Sequence, residues 1–150
     1  MRTIVILITF MLIGACSSKF VTQSYSPDIL FKQVEAELSL GEVNKAITTL
    51  RKLDANYSFN EKAIDAQVLL IWIYYKKGNL DQAEVFASNF LKYYPYNKYT
   101  PWVEYVYALT IYQSIPSQKR DIAKATEALG LFKDFIQKYP NLEYAEDLNF

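Results

Sequence analysis

An internal repeat is the feature that most restricts how this chain can fold. The segment 41–46, GEVNKA, is similar to the segment 78–83, GNLDQA, which begins 37 residues later. An alanine, a large apolar residue and a tyrosine then recur at fixed spacing in three copies. The triplets are Ala46, Leu53 and Tyr57; Ala83, Phe90 and Tyr94; and Ala128, Phe135 and Tyr139. Repetition at such a period indicates an array of stacked supersecondary units.

The spacing within each triplet indicates α-helix. Residues seven and eleven positions apart return to nearly the same face of a helix with about 3.6 residues per turn. The small alanine lets a neighbouring helix approach closely, and the large apolar residue fills the space beyond it. Pro95 and Pro140 follow the second and third tyrosines, where a proline ends the helix, and Ser58 takes this place in the first copy. The third copy follows the second after 45 residues instead of 37, so about eight residues are inserted before it.

Capping signals predict a partner helix before each repeated triplet. Ser26-Pro27-Asp28, Asn60 and Thr100-Pro101 are typical of helix starts, and Gly41 and Gly78 are typical of residues just after a helix. The partner helices are therefore predicted over 27–40, 61–77 and about 102–112, and return helices over 80–94 and about 121–139. Asn79 with Gln82 has the pattern of a capping box for the second return helix.

The apolar run 68–75, VLLIWIYY, is compatible with a buried strand as well as with a helix. The alanines before it and Lys76-Lys77-Gly78 after it extend the span to about 18 residues, which favours a helix. A helix that is apolar all round is buried on several sides, as the middle helix of a stacked array should be. The predicted fold is all-α, a tetratricopeptide-like α–α superhelix of about three helix pairs.

The N-terminus has the pattern of an export signal. After a positively charged start, the uncharged stretch 4–15 is shorter than the about 20 apolar residues that span a bilayer. The only cysteine, Cys16, follows the small residues Gly14-Ala15. Small residues before a cysteine resemble the lipobox of bacterial lipoproteins, in which the preceding peptide is removed and the cysteine is acylated. An ordinary signal peptide that happens to end near a cysteine is the alternative.

The expected organisation follows from this pattern. Residues 1–15 are predicted to be a lipoprotein signal peptide and residues 16–26 a lipidated tether. Residues 27–150 are predicted to form the repeat domain, with repeats at about 27–58, 60–95 and 100–140 and the start of a further helix at 142–150. Ser17 stands where an aspartate would resemble an inner-membrane retention signal, so the resemblance implies the outer membrane.

Composition limits the chemistry. The chain has no histidine and one cysteine, which excludes histidine bases, His–Cys zinc sites and intramolecular disulfides. Its 16 basic and 16 acidic residues cancel, which argues against a nucleic-acid partner. Asp65, Glu104 and Asp147 are the carboxylates a hydrolase could use, but no second acid is placed across a cleft from them. We expect a protein that is not an enzyme and that uses no cofactor or metal.

The repeats resemble tetratricopeptide repeats, and the whole pattern is similar to the BamD family, lipoproteins of the outer-membrane β-barrel assembly machine. The resemblance is carried by Cys16-Ser17-Ser18, Gly41, Ala46-Ile47, Ala66-Gln67, Tyr74-Tyr75-Lys76, Gly78, Gln82-Ala83, Tyr94-Pro95, Glu104-Tyr105, Tyr139-Pro140 and Tyr144-Ala145-Glu146-Asp147. The chain departs from the family pattern at Val43, Ser58 and Ile111-Tyr112. The family has about five such repeats, so we expect either part of a longer chain or a shortened member without the repeats that dock on BamA.

The resemblance implies a non-catalytic outer-membrane lipoprotein that faces the periplasm and scaffolds the insertion of barrel proteins. BamA, accessory lipoproteins and unfolded outer-membrane proteins are the implied partners. Another periplasmic repeat-containing adaptor lipoprotein, of Tol–Pal-associated or pilus-assembly type, is the alternative. A hydrolase on a helical scaffold is a third hypothesis.

A set of residues on the first helices is the candidate groove for a peptide or partner. The set is Phe31, Glu35, Asp65, Trp72, Tyr75 and Tyr105. Within a helix these residues have the spacing that usually faces the concave surface of such an array, and Val68 shares it. Aromatic residues there could bind the aromatic-rich ends of barrel proteins. The alternative is that the tyrosines and tryptophans fill the core and keep only their polar tips at the surface.

Overall fold

Six α-helices make up most of the computed structural model, which describes residues 25–116 and 121–143. They are α1 (Pro27–Ser39), α2 (Val43–Asn56), α3 (Glu61–Lys76), α4 (Leu80–Tyr93), α5 (Thr100–Gln113) and α6 (Ile122–Lys138). Consecutive helices pack on one another, and α3 also packs on both α1 and α5. No strand occurs in these two ranges, so the predicted all-α fold of three helix pairs is confirmed. Cys16, the predicted signal peptide, Asp147 and the predicted helix at 142–150, except its first two residues, lie outside the described residues.

Gly41 and Gly78 end the first two partner helices in the same way. Their φ angles are +74° and +70°, in the left-handed region that favours glycine. The N–H of Gly78 donates to the carbonyl of Tyr75 (3.0 Å), and the N–H of Asn79 donates to the carbonyl of Tyr74 (2.9 Å). These two bonds satisfy the last carbonyls of α3 and turn the chain into α4. The predicted role of both glycines is confirmed.

Two of the predicted N-capping residues make side-chain capping hydrogen bonds, and a third does not. Ser26 Oγ accepts from the N–H of Ile29 (3.3 Å), and Asn60 Oδ1 accepts from the N–H of Lys62 (2.8 Å). The capping box predicted at the start of α4 is wrong, because the Asn79 side chain makes no capping hydrogen bond. The N–H of Asn79, which the Gln82 side chain would have to accept from, already donates to the Tyr74 carbonyl.

The repeated triplets form the core, as predicted. The alanine and the large apolar residue of each triplet are buried, with at most 2% of any of these residues exposed. The tyrosines close the first two helix pairs: Tyr57 Oη donates to the carbonyl of Tyr25 (2.5 Å), and Tyr94 Oη donates to the carbonyl of Ser58 (2.8 Å). Each bond therefore joins the end of a return helix to the residues just before its partner helix.

Helix α3 is buried on two sides, which excludes the strand alternative for 68–75. Leu70 and Ile73 pack in one core cluster with Val34 of α1. Ile71 packs in another cluster with Phe90 of α4. Successive residues of a helix point about 100° apart, so an uninterrupted apolar run serves both clusters at once.

Glycine-to-alanine substitutions should have opposite effects on stability at the left-handed turn after α3 and within helix α6. Gly78→Ala should lower the free energy of unfolding by about 1 kcal/mol, because an alanine is strained at positive φ. Gly130 lies within α6, and an added Cβ meets nothing within 4 Å at either position. Gly130→Ala should therefore raise the free energy of unfolding by about 0.5–1 kcal/mol. Urea denaturation measures both, and a Gly78→Ala variant as stable as the wild type or more stable would contradict the assigned turn.

Candidate partner-binding surface

The partner helices α1, α3 and α5 lie side by side and form one surface, here called the A-helix face. All six residues of the candidate groove lie on these helices. Asp65 and Trp72 are seven positions apart and Phe31 and Glu35 four apart, so the residues of each pair lie on the same side of their helix. The short turns at Gly41 and Gly78 hold this order, because each return helix packs directly behind its partner.

Three aromatic side chains meet where α3 and α5 touch; we call Trp72, Tyr75 and Trp102 the aromatic cluster. The Trp72 ring stacks on the Tyr75 ring with 5.8 Å between the ring centroids. The centroid of the Trp102 ring also lies 5.8 Å from that of Trp72, and the two ring planes are tilted by 58°. Trp72 remains 39% exposed, and Lys76 Nζ lies 5.2 Å from the centre of its ring. The cluster therefore presents a large aromatic surface beside a cation.

A hydrogen bond across α3 and α5 orients the edge of the aromatic cluster. Gln113 Nε2 of α5 donates to Tyr75 Oη of α3 (2.9 Å). Burial raises the pKa of the Tyr75 hydroxyl, and the hydrogen bond from Gln113 opposes this in part. The phenol therefore stays neutral at physiological pH and keeps its own proton to donate to a ligand.

Asp65 is the centre of a second group on the A-helix face. Tyr99 Oη donates to Asp65 Oδ1 (2.8 Å), and Lys62 Nζ lies 3.6 Å from Asp65 Oδ2. Lys62 Nζ also lies 4.8 Å from the centre of the Phe31 ring. Phe31 and Asp65, predicted to share a surface, are thus connected through Lys62. The group offers an aromatic ring, a cation and an anion within one stretch of the face.

The remaining two groove residues are placed differently. Glu35 is exposed on α1 and makes no ion pair with another described residue. Tyr105 lies half-buried against the return helix, with its ring 5.8 Å from that of Phe135. The Tyr105 ring therefore helps to join α5 to α6.

Sequence reasoning missed Trp102, Tyr99 and Lys62 as parts of this surface. Trp102 precedes Tyr105 by three positions and so occupies a neighbouring place on the same helix side. Tyr99 follows Asp65 by 34 positions, close to the 37-residue repeat, so comparing equivalent positions in adjacent repeats could have paired them. Lys62 lies three residues before Asp65, the spacing of a helical ion pair.

Two of the carboxylates considered for a hydrolase, Asp65 and Glu104, are held in ion pairs and hydrogen bonds. Glu104 pairs with Lys138, and the hydrogen bond between them raises the pKa of Lys138. This pair lies at a pocket of about 390 Å³ between α4, α5 and α6, whose apolar wall includes Leu91 and Phe135. Among the described residues there is no group of three metal-ligating side chains.

Helix lengths bear on how the chain meets a membrane. Within 25–116 and 121–143, none of the helices has both the length and the apolar content that crossing a bilayer requires.

Comparison with known proteins places the chain among lipoproteins. The YfiO family model, described as an outer membrane lipoprotein, matches residues 23–150 and so includes all six helices. The chain is 30% identical to the outer membrane protein assembly factor BamD of Vibrio cholerae, over 91% of this chain and 61% of that protein. It is 24% identical to BamD of Caulobacter vibrioides, over 90% of this chain and 46% of that protein. For BamD of Xylella fastidiosa the identity is 26%, over 95% of this chain and 53% of that protein. The chain thus spans about half the length of the curated relatives it matches.

The Asp65–Tyr99 hydrogen bond should make the free energy of unfolding depend on pH in the alkaline range. The hydrogen bond to Asp65, and secondarily burial, raise the pKa of the Tyr99 hydroxyl in the folded chain. The unfolded chain then loses this proton first, from about pH 10 upward, so the free energy of unfolding falls as the pH rises through that range. Tyr99→Phe should make this fall shallower than in the wild type, as measured by urea unfolding at neutral and alkaline pH.

Tyr112→Phe, at an exposed ring of α5, is the matched control for the tyrosine substitution itself. An alkaline slope for Tyr99→Phe as steep as that of the control would contradict the assigned role of the bond.

Proposed function

Because the chain belongs to the YfiO family of outer membrane lipoproteins, we propose that it is a component of the machinery that assembles β-barrel proteins in the outer membrane. It acts there as a scaffold for the insertion of barrel proteins. The family is non-catalytic, so the chain is not an enzyme and the hydrolase hypothesis is set aside. The names of its relatives, which are outer membrane protein assembly factors, favour this role over a Tol–Pal-associated or pilus-assembly adaptor.

The proposed organisation has three parts. Residues 1–15 are removed as a lipoprotein signal peptide, Cys16 carries the acyl chains, and residues 16–26 link it to a repeat domain over 27–150. Two or more acyl chains hold a protein stably at a membrane, whereas one does so only marginally. The start of α1 at Pro27 and the lipoprotein description of the family support this division. The chain then faces the periplasm from the outer membrane.

The proposed partners are BamA, accessory lipoproteins and unfolded outer-membrane proteins. The observation that carries a role in substrate binding is the aromatic cluster at the junction of α3 and α5, in which Trp72 is exposed. An aromatic residue of an extended segment can stack on Trp72. Lys76 beside the ring and the charged groups around Asp65 can bind polar groups of the same segment. The A-helix face acts through shape and contacts, with no covalent step.

Truncation of Trp72 should weaken binding of an aromatic-ended peptide. Trp72→Ala should raise the dissociation constant of a labelled C-terminal peptide from an outer-membrane barrel protein about tenfold, a typical loss for a central aromatic contact. Fluorescence anisotropy measures the affinity, and circular dichroism checks the fold. Tyr93→Ala is the matched control, because Tyr93 is 68% exposed but lies on α4, outside the A-helix face. Equal affinities of Trp72→Ala and the wild type would remove Trp72 from the proposed site.

The assembly role itself is tested by purification from outer membranes solubilised in detergent. A tagged chain should bring down the barrel-assembly subunit BamA and its accessory lipoproteins. Recovery of Tol–Pal or pilus components without BamA would replace the proposed role by the alternative one. Mass spectrometry of the same sample should show acyl groups on Cys16 as the first residue.

A further inference from the structure

Two large aromatic side chains are almost fully exposed at equivalent places in successive repeats. Phe59 is 97% exposed and Tyr96 is 99% exposed. They are 37 residues apart, and each stands two residues after the tyrosine that closes its helix pair. A single exposed apolar residue is ordinary. The same exposure at the same place in two repeats points to a surface that is covered in the cell.

These residues lie on one edge of the helix array. Because the helices of each pair run in opposite directions, the starts of α1, α3 and α5 and the ends of the return helices share that edge. The hydrogen bonds from Tyr57 to the Tyr25 carbonyl and from Tyr94 to the Ser58 carbonyl fix this arrangement. The chain enters the array at Tyr25, so we call this the tether edge. The turns at Gly41 and Gly78 lie on the opposite edge.

Lysines accompany the aromatic rings of the tether edge. Lys92 Nζ lies 5.5 Å from the ring centre of Tyr93, and Lys98 Nζ lies 4.9 Å from that of Tyr99. Lys98 also pairs with Glu61 at 3.3 Å, with both side chains largely exposed. Aromatic rings interspersed with lysines are typical of protein surfaces that sit at the boundary between a bilayer and water.

We propose that the tether edge rests on the lipid bilayer that holds the acyl anchor, with Phe59 and Tyr96 inserted among the headgroups. The inference depends on the proposed acylation of Cys16. Tyr25 lies nine positions after Cys16, and a stretch of this length spans at most about 32 Å when extended. The edge that receives this short tether is the edge held nearest to the membrane. The bilayer is therefore the proposed occupant, and another protein is the outcome to be tested against it.

This orientation has a consequence for the A-helix face. Helices whose ends rest on the bilayer stand roughly upright on it, because the tether edge is made of helix ends. The A-helix face is then perpendicular to the membrane plane and faces sideways into the periplasm. The aromatic cluster of Trp72, Tyr75 and Trp102 stays accessible to an unfolded chain in the periplasm.

Quenching by labelled lipids tests the proposal on the mature chain, purified from outer membranes in detergent and reconstituted into vesicles of phosphatidylethanolamine and phosphatidylglycerol. Cys16 is the only cysteine, and acylation blocks its thiol, so one introduced cysteine can carry a fluorophore. Phe59→Cys and Tyr96→Cys place it on the tether edge. Leu40→Cys is the control, since Leu40 is 74% exposed on the opposite edge.

Lipids with a spin label high on the acyl chain should quench the fluorophore at 59 and 96 several-fold more than at 40. Equal quenching at all three positions, or none, would overturn the proposal. A fluorescence change at 59 and 96 on addition of a partner protein, without lipid quenching, would also overturn it and assign the edge to that protein.

A second measurement tests the aromatic rings themselves. A fluorophore at Asn56→Cys, on the tether edge at the end of α2, reports the approach of lipid with Phe59 and Tyr96 intact. The double substitution Phe59→Ser with Tyr96→Ser should reduce its quenching at least twofold, and Leu40→Ser should leave it unchanged. Unchanged quenching in the double variant would remove the rings from the contact.

The experiments distinguish a failure of the proposed membrane contact from a failure of the proposed assembly role. A chain that is acylated and co-purifies with BamA but shows no lipid quenching contradicts this inference alone. A chain that shows the quenching but does not bind BamA contradicts the assembly role alone. A mature chain without acyl groups overturns both the anchor and this inference.

Discussion

The close contact of paired helices at a buried alanine is the constraint on which the rest of the structure depends. Ala46, Ala83 and Ala128 are at most 2% exposed, and a larger side chain there would push the helices apart. The large residue seven positions later fills the adjoining space. Since each pair is closed in this way, the pairs can only extend the array by stacking on the next pair, which is how repeat proteins bury a continuous core.

This packing leaves two surfaces that are built from several repeats at once. The A-helix face combines side chains of neighbouring partner helices, so that Trp72 of α3 meets Trp102 of α5. The tether edge combines turns of successive repeats and carries Phe59 and Tyr96. Each feature arises from the same antiparallel pairing. The chain belongs to a family of outer membrane lipoproteins, and we propose a polypeptide partner for the first surface and the bilayer for the second.

Much of the fold follows from patterns within one repeat, whereas the site depends on contacts between repeats. Gly41 and Gly78 could be placed at helix ends because the positive φ that they adopt is a requirement of the local backbone and needs no contact with another repeat. The capping box at Asn79 failed because a bond from the preceding turn already used its N–H. Tyr105 has the spacing of a groove residue, but its half-buried ring packs against Phe135 of α6.

The sequence by itself determined that the chain forms helices in pairs, where five of the six begin and end to within two residues, and which side of the return helices is buried. Periodicity and capping act within about one helix length, so they are visible in a single stretch of residues. Only the tertiary structure decided which side chains from different parts of the chain meet at the surface, such as Tyr99 with Asp65 and Trp72 with Trp102. Those contacts depend on the rotation and offset of one packed helix against the next, and these are set by the fit of all the core side chains together.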